Sequence, residues 1–89
     1  MKGLNDWRAE IDRIDAELLR LLSRRARVAV ALGRLKRNSG LPFRSPSRER
    51  RVLERLIHVN RGPLDDRSVE RLFRLVIRET RRIQENGDA

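Results

Sequence analysis

At 89 residues, with a formal charge of +9 and no cysteine, the chain reads as one small basic domain without a disulfide framework or a thiolate metal site. His58 is the only histidine, which excludes a histidine metal cluster or a histidine triad within one chain. No apolar run approaches ~18 residues, so no membrane span is expected. The first residues, MKGLND, lack the apolar core of a signal peptide, and a cytoplasmic protein is the expectation.

The first element is a helix over about 5–37, centred on the proline-free run Trp7–Arg37. Ile11, Ile14, Leu18, Leu21, Leu22, Val28, Ala29, Leu32 and Leu35 recur at the three-and-four spacing of a helical face. Asn5 or Asp6 can cap its start, and Arg34, Lys36 and Arg37 suit the negative end of its dipole. About thirty residues at ~1.5 Å each make a rod of roughly 45 Å, whereas a compact globule of this length has a radius of gyration of only ~12 Å. A partner chain is therefore expected to cover part of the rod, and a domain this small gains stability from oligomerisation.

Asn38-Ser39-Gly40 stops the first helix, and Pro42 prevents its resumption. Ser45-Pro46 reads as an N-cap followed by proline in the first turn. It opens a second helix over 46–59, with Val52, Leu53, Leu56 and Val59 on one stripe. Asn60-Arg61-Gly62-Pro63 is a turn. The third helix covers about 65–86, with an aspartate of Asp65-Asp66 as its cap and Val69, Leu72, Phe73, Val76, Ile77 and Ile83 as its apolar residues. Gly87-Asp88-Ala89 reads as a frayed tail. No segment alternates with period two. The expected fold is all-α: one domain over 1–89 built from one long, one short and one medium helix.

The informative residues are polar ones at apolar positions of the helical pattern. Arg25 and Lys36 are eleven residues apart, within about 20° of three full turns, so they point the same way. Arg8 lies about 100° off that face and some 25 Å away along the axis, so it joins the same site only if an antiparallel second copy delivers it. Glu49 continues the stripe of Leu53 and Leu56, where a carboxylate needs a cation or a hydroxyl partner. Thr80 and Gln84 form an i, i+4 pair on the apolar side of the third helix. Thr80 can instead bond back to a carbonyl of the preceding turn, but a half-buried amide such as Gln84 needs partners. Two cations, a carboxylate and an amide around one pocket suit a small polyanion that also carries a hydroxyl and a further acceptor oxygen.

WRAEIDRIDAELLRLLSRRARVAVALGRLK, the proline loop, SRERRVLERL and LFRLVIRETRRIQ together resemble the all-α chorismate mutases of the intertwined-dimer type, over roughly residues 4–85. The resemblance implies an intertwined homodimeric helical bundle that converts chorismate to prephenate by a Claisen rearrangement, with no metal or cofactor. It implies that Arg25, together with Arg8 from the other protomer, binds the two substrate carboxylates, supported by Arg48. It assigns Lys36 and Gln84 as donors to the ether oxygen and Glu49 as acceptor from the ring hydroxyl. Thr80 stands where the family often has a serine near a carboxylate. Ser45 departs from a branch that has aspartate near the substrate hydroxyl; it can hydrogen-bond there or simply cap the second helix.

Rivals on the same scaffold are a 4-amino-4-deoxychorismate mutase and an isochorismate pyruvate lyase; the Arg48-Glu49 pair favours a mutase over the lyase. A rival of another class is a non-catalytic module that binds nucleic acid through its arginines. The arginines form no single stripe, aromatics are few, and that reading leaves Glu49 and Gln84 unexplained, so neither nucleic acid nor membrane is expected as a partner. Some short members of the family need a partner enzyme of the same pathway for full activity.

Overall fold

The computed structural model describes residues 1–86, so the frayed tail expected at 87–89 lies outside the described residues. Three helices form: α1 (Leu4–Ser39), α2 (Pro46–Val59) and α3 (Asp66–Asn86). No residue of the described chain is in a strand, and no helix is long and apolar enough to cross a membrane.

Helix α1 starts earlier than the sequence suggests. Gly3 is the N-cap, and Asp6 accepts from the Gly3 N–H at 2.9 Å, so Asn5 and Asp6 lie inside the first turn rather than capping it. At the other end Gly40 takes the left-handed conformation (φ 68°), while the Leu41 N–H reaches the Lys36 carbonyl at 2.8 Å and the Gly40 N–H that of Arg37 at 3.3 Å. This paired closure satisfies two carbonyls that the ending helix leaves open. Helix α2 begins as expected, with Ser45 as N-cap and Pro46 in its first turn. Asp65 caps α3, accepting the Ser68 N–H at 2.7 Å; that bond holds its carboxyl below the usual range.

Both α1 and α2 pack on α3, and neither packs on the other. Helix α3 is therefore the element that joins α1 and α2. The molecule measures 57 × 27 × 15 Å, with a radius of gyration of 16.2 Å, against ~12 Å for a compact chain of this length. The excess is the N-terminal half of α1, which projects beyond the other helices.

The long apolar stripe of α1 separates into two faces. Leu22, Ala26, Ala29, Val30 and Gly33 are covered, with Val30 and Gly33 buried. Leu4, Trp7, Ile11, Ile14, Leu18, Leu21, Val28, Leu32 and Leu35 remain exposed. With Arg25 filling the one gap, that second set follows an unbroken alternation of three and four residues, the spacing of a coiled-coil seam. The two faces are about 100° apart around the helix. Reading them as a single face was incorrect: two adjacent apolar faces on one helix look like one broad face in sequence.

Candidate active site

The C-terminal half of α3 gathers the site. Thr80 and Gln84 lie one helical turn apart and are both buried, at 8% and 5% exposure, where an unpaired polar group costs roughly 1–3 kcal/mol. Thr80 Oγ1 donates back to the Val76 carbonyl at 2.8 Å and also accepts from Arg25. Its local and long-range bonds therefore coexist, one using the hydroxyl proton and the other a lone pair. Across the same interface, Gln84 Oε1 accepts from Lys36 Nζ at 3.2 Å, and Gln84 Nε2 donates to the Ala29 carbonyl at 3.1 Å. Lys36 also donates to the Phe43 carbonyl at 2.9 Å, tying α1 to the loop before α2. Arg37 reinforces that corner through the Gln84 carbonyl at 3.2 Å and by lying over the Phe43 ring.

A lysine ammonium has three N–H donors and a primary amide two. Lys36 spends two on Gln84 and Phe43, and Gln84 spends one on Ala29. One donor remains on each of these two groups, which are in contact. Preorganised donors of this kind are what stabilise charge developing on an oxygen during reaction.

Arg25 lies on the border between the covered and uncovered faces of α1, half-buried. Burial first, then the neighbouring Arg48 guanidinium, lowers its pKa. Among the described residues, no carboxylate lies within 4.0 Å of Arg25, Arg48 or Lys36. Two guanidiniums held near each other without a counter-charge favour binding a carboxylate, which removes their repulsion and offers both a bidentate partner.

Glu49 is already paired. Its Oε2 accepts from Arg81 at 2.9 Å and lies 3.4 Å from Arg44 Nε, while Oε1 has no hydrogen bond among the described residues. Sequence reasoning missed Arg81. Glu85 follows it four residues later, the spacing of an ordinary surface pair, but that contact is the longer one at 3.9 Å. Ser45 serves as the cap of α2, accepting from the Arg48 N–H at 3.4 Å.

Arg25 thus meets Thr80, and Lys36 meets Gln84 one turn further along α3. Arg48 acts on Arg25 by charge, and Glu49 is joined to α3 through Arg81, the residue after Thr80. Arg8 is exposed on the projecting half of α1, seventeen residues and about 25 Å before Arg25, outside this cluster within one protomer. Other arginines pair locally, as their spacing suggests: Arg13 with Glu10 at 2.8 Å, Arg74 with Glu70 at 2.7 Å and Arg82 with Glu79 at 3.1 Å. Exposed pairs of this kind contribute little to stability.

The fold and the cluster define an all-α protein in which three helices bring cations and neutral donors close to one another. Residues 7–85 match the profile of the family described as chorismate mutase type II, and the chain belongs to that family. It is similar to the bifunctional chorismate mutase/prephenate dehydratase of Neisseria gonorrhoeae, with 54% identity over 72 residues, covering 81% of this chain and 19% of that protein. The bifunctional protein of the same description from Aquifex aeolicus is 37% identical over 81 residues, covering 86% of this chain and 22% of its own length. The chain therefore spans about a fifth of these curated relatives. Among solved structures it resembles form II of a chorismate mutase from Thermus thermophilus, with TM-score 0.95, 35% identity, 99% of this chain covered and 100% of that one. It also resembles a Helicobacter pylori chorismate mutase in complex with prephenate, with TM-score 0.87, 32% identity, 94% of this chain covered and 91% of that one.

Proposed function

We propose that this chain, as a single domain, catalyses the rearrangement of chorismate to prephenate as a homodimer. The observation that carries the reading is the contact between Lys36 and Gln84, each with one unused donor, beside the uncompensated pair Arg25 and Arg48. In a Claisen rearrangement one C–O bond breaks as one C–C bond forms, so no nucleophile or proton acceptor is required. The site's work is to fold a flexible dianion into a chair-like, near-attack shape and to stabilise negative charge growing on the ether oxygen. Arg25 and Arg8 of the partner subunit grip the two carboxylates, Arg48 supports that anion site, and Thr80 holds the Arg25 guanidinium. Lys36 and Gln84 donate to the ether oxygen. Glu49 accepts from the ring hydroxyl through Oε1, and Ser45, at the start of α2, completes the hydroxyl side.

The homodimer is supported by the uncovered face of α1. Nine large apolar side chains lie there at coiled-coil spacing, and burying such a face is favourable by roughly 25 cal/mol per Å². Arg25 borders that face, so a second α1 packed on it closes the site and brings an Arg8 to it. In the bifunctional relatives a prephenate dehydratase shares the chain, so an enzyme that consumes prephenate is the natural pathway partner. A cytoplasmic location agrees with a cysteine-free chain.

Purified protein should consume chorismate, read as loss of its absorbance with prephenate as the product. The same assay run with 4-amino-4-deoxychorismate and isochorismate distinguishes the sister activities. An inert response to chorismate, with turnover of another of the three, overturns the substrate assignment.

A further inference from the structure

The Glu49 carboxylate lies in a groove between α2 and α3 lined by Arg44, Arg74, Arg78 and Arg81. Arg81 and Arg44 approach it from opposite ends of the chain's second half: one from the C-terminal turns of α3, the other from the loop before α2. Both contacts fall on the same oxygen, Oε2, and Oε1 is left without one among the described residues. The Glu49 and Arg81 side chains are both 23% exposed, so the pair is sheltered and ordered by packing rather than free on the surface. Arg81 is also the residue after Thr80, so the helix that carries Thr80 and Gln84 also carries the partner of Glu49.

We propose that Arg81 is a positioning residue: by holding Oε2 of Glu49 from α3, it orients the carboxylate and commits Oε1 to accepting a hydroxyl of the bound ligand. This rests on the reading of Glu49 as the acceptor for the ring hydroxyl. An anionic carboxylate accepts and does not donate, so the arrangement selects ligands that present a hydrogen-bond donor at that point. A charge-assisted bond of this kind is about twice as strong as a neutral one. The contact is present before and during the rearrangement alike, so its loss falls mainly on KM.

The test is a set of four variants assayed on chorismate, with helicity and melting temperature followed in parallel. Arg81→Met is expected to lower kcat/KM about tenfold, chiefly through KM, the loss of one charge-assisted hydrogen bond. Arg81→Lys should recover part of that loss, because a point charge restores the pairing without the fork. Glu49→Gln should also be impaired, and Glu49→Gln/Arg81→Met no worse than Glu49→Gln alone, because Arg81 acts only through Glu49. Wild-type KM in Arg81→Met beside an impaired Glu49→Gln overturns the role of Arg81 while leaving the Glu49 reading intact. Full activity in Glu49→Gln overturns the reading on which the proposal rests. Additive losses in the double variant, or a loss in Arg81→Met that only tracks a lowered melting temperature and is shared equally by kcat, also overturn it.

Discussion

A β-carbon on Gly33 would lie 2.6 Å from Cγ of Gln84 and 3.0 Å from its carbonyl oxygen. The two helices therefore meet at this point because residue 33 has no side chain. A glycine inside a helix costs about 1 kcal/mol relative to alanine, yet here it lets the Gln84 amide reach the Ala29 carbonyl and Lys36. Gly33→Ala sets a gain in helix propensity against an overpacking cost of roughly 1–3 kcal/mol. The expected outcome is a net destabilisation of about 1 kcal/mol and a fall in kcat of about tenfold or more, as the amide moves off its line. Thermal melts and steady-state kinetics check it; a more stable variant with unchanged kcat contradicts it.

Lys36→Ala and Arg25→Ala should each abolish most activity. Removal of one preorganised donor typically costs about 10²–10³ in kcat. The two should differ in stability. Lys36 ties α1 to α3 and to the loop at Phe43, so its loss lowers the melting temperature. Arg25 also ties α1 to α3, through Thr80, but its charge is opposed by burial and by Arg48, so its loss should lower the ligand-free melting temperature less than the loss of Lys36 does. Circular dichroism with the chorismate assay separates the effects, and near-normal turnover in either variant contradicts the site.

Gln84→Glu should be nearly inactive at neutral pH and recover part of its activity in acid. An amide donates at any pH, whereas a carboxyl donates to the ether oxygen only when protonated. At this buried position the Lys36 ammonium favours the ionised carboxylate and desolvation favours the neutral acid. The check is kcat/KM against pH for parent and variant over a range in which both stay folded. A flat profile for the variant places Gln84 away from the developing charge.

The helices were legible because their signals are local. Serine and proline at 45–46 and the breakers at 60–63 bracket α2, and glycine with proline ends α1. The polar residues were legible because Arg25, Lys36, Thr80 and Gln84 interrupt apolar stripes, and the structure joins them in two pairs across α1 and α3. What escaped the sequence depends on which helix covers which face. Val30 and Gly33 are the buried residues of α1, yet nothing in the spacing separates their stripe from the adjacent one through Val28, Leu32 and Leu35. Arg81 escaped because its partner, Glu49, is thirty-two residues away, and no periodicity reports a contact between helices. Ser45 was readable as a cap, since an N-cap is defined by its own next three residues.

The distance between Arg8 and the cluster yields a test of the whole assembly. If each site takes Arg25 from one protomer and Arg8 from the partner subunit, Arg8→Ala and Arg25→Ala homodimers are each defective at both sites. Mixed and allowed to exchange, they form heterodimers in which one site has lost both arginines and the other has neither substitution. With random pairing about half the dimers are mixed and one of their two sites is intact, so about a quarter of parental activity returns. The measurement is turnover as a function of mixing ratio, after exchange under mild denaturant, with the dimer followed by sedimentation. Activity should peak at equal amounts and vanish at either extreme. A monomer in solution, or a mixture no more active than its components, contradicts delivery of Arg8 across an interface. A monomeric variant with full activity would do so as well, because the uncovered face of α1 would then serve stability alone.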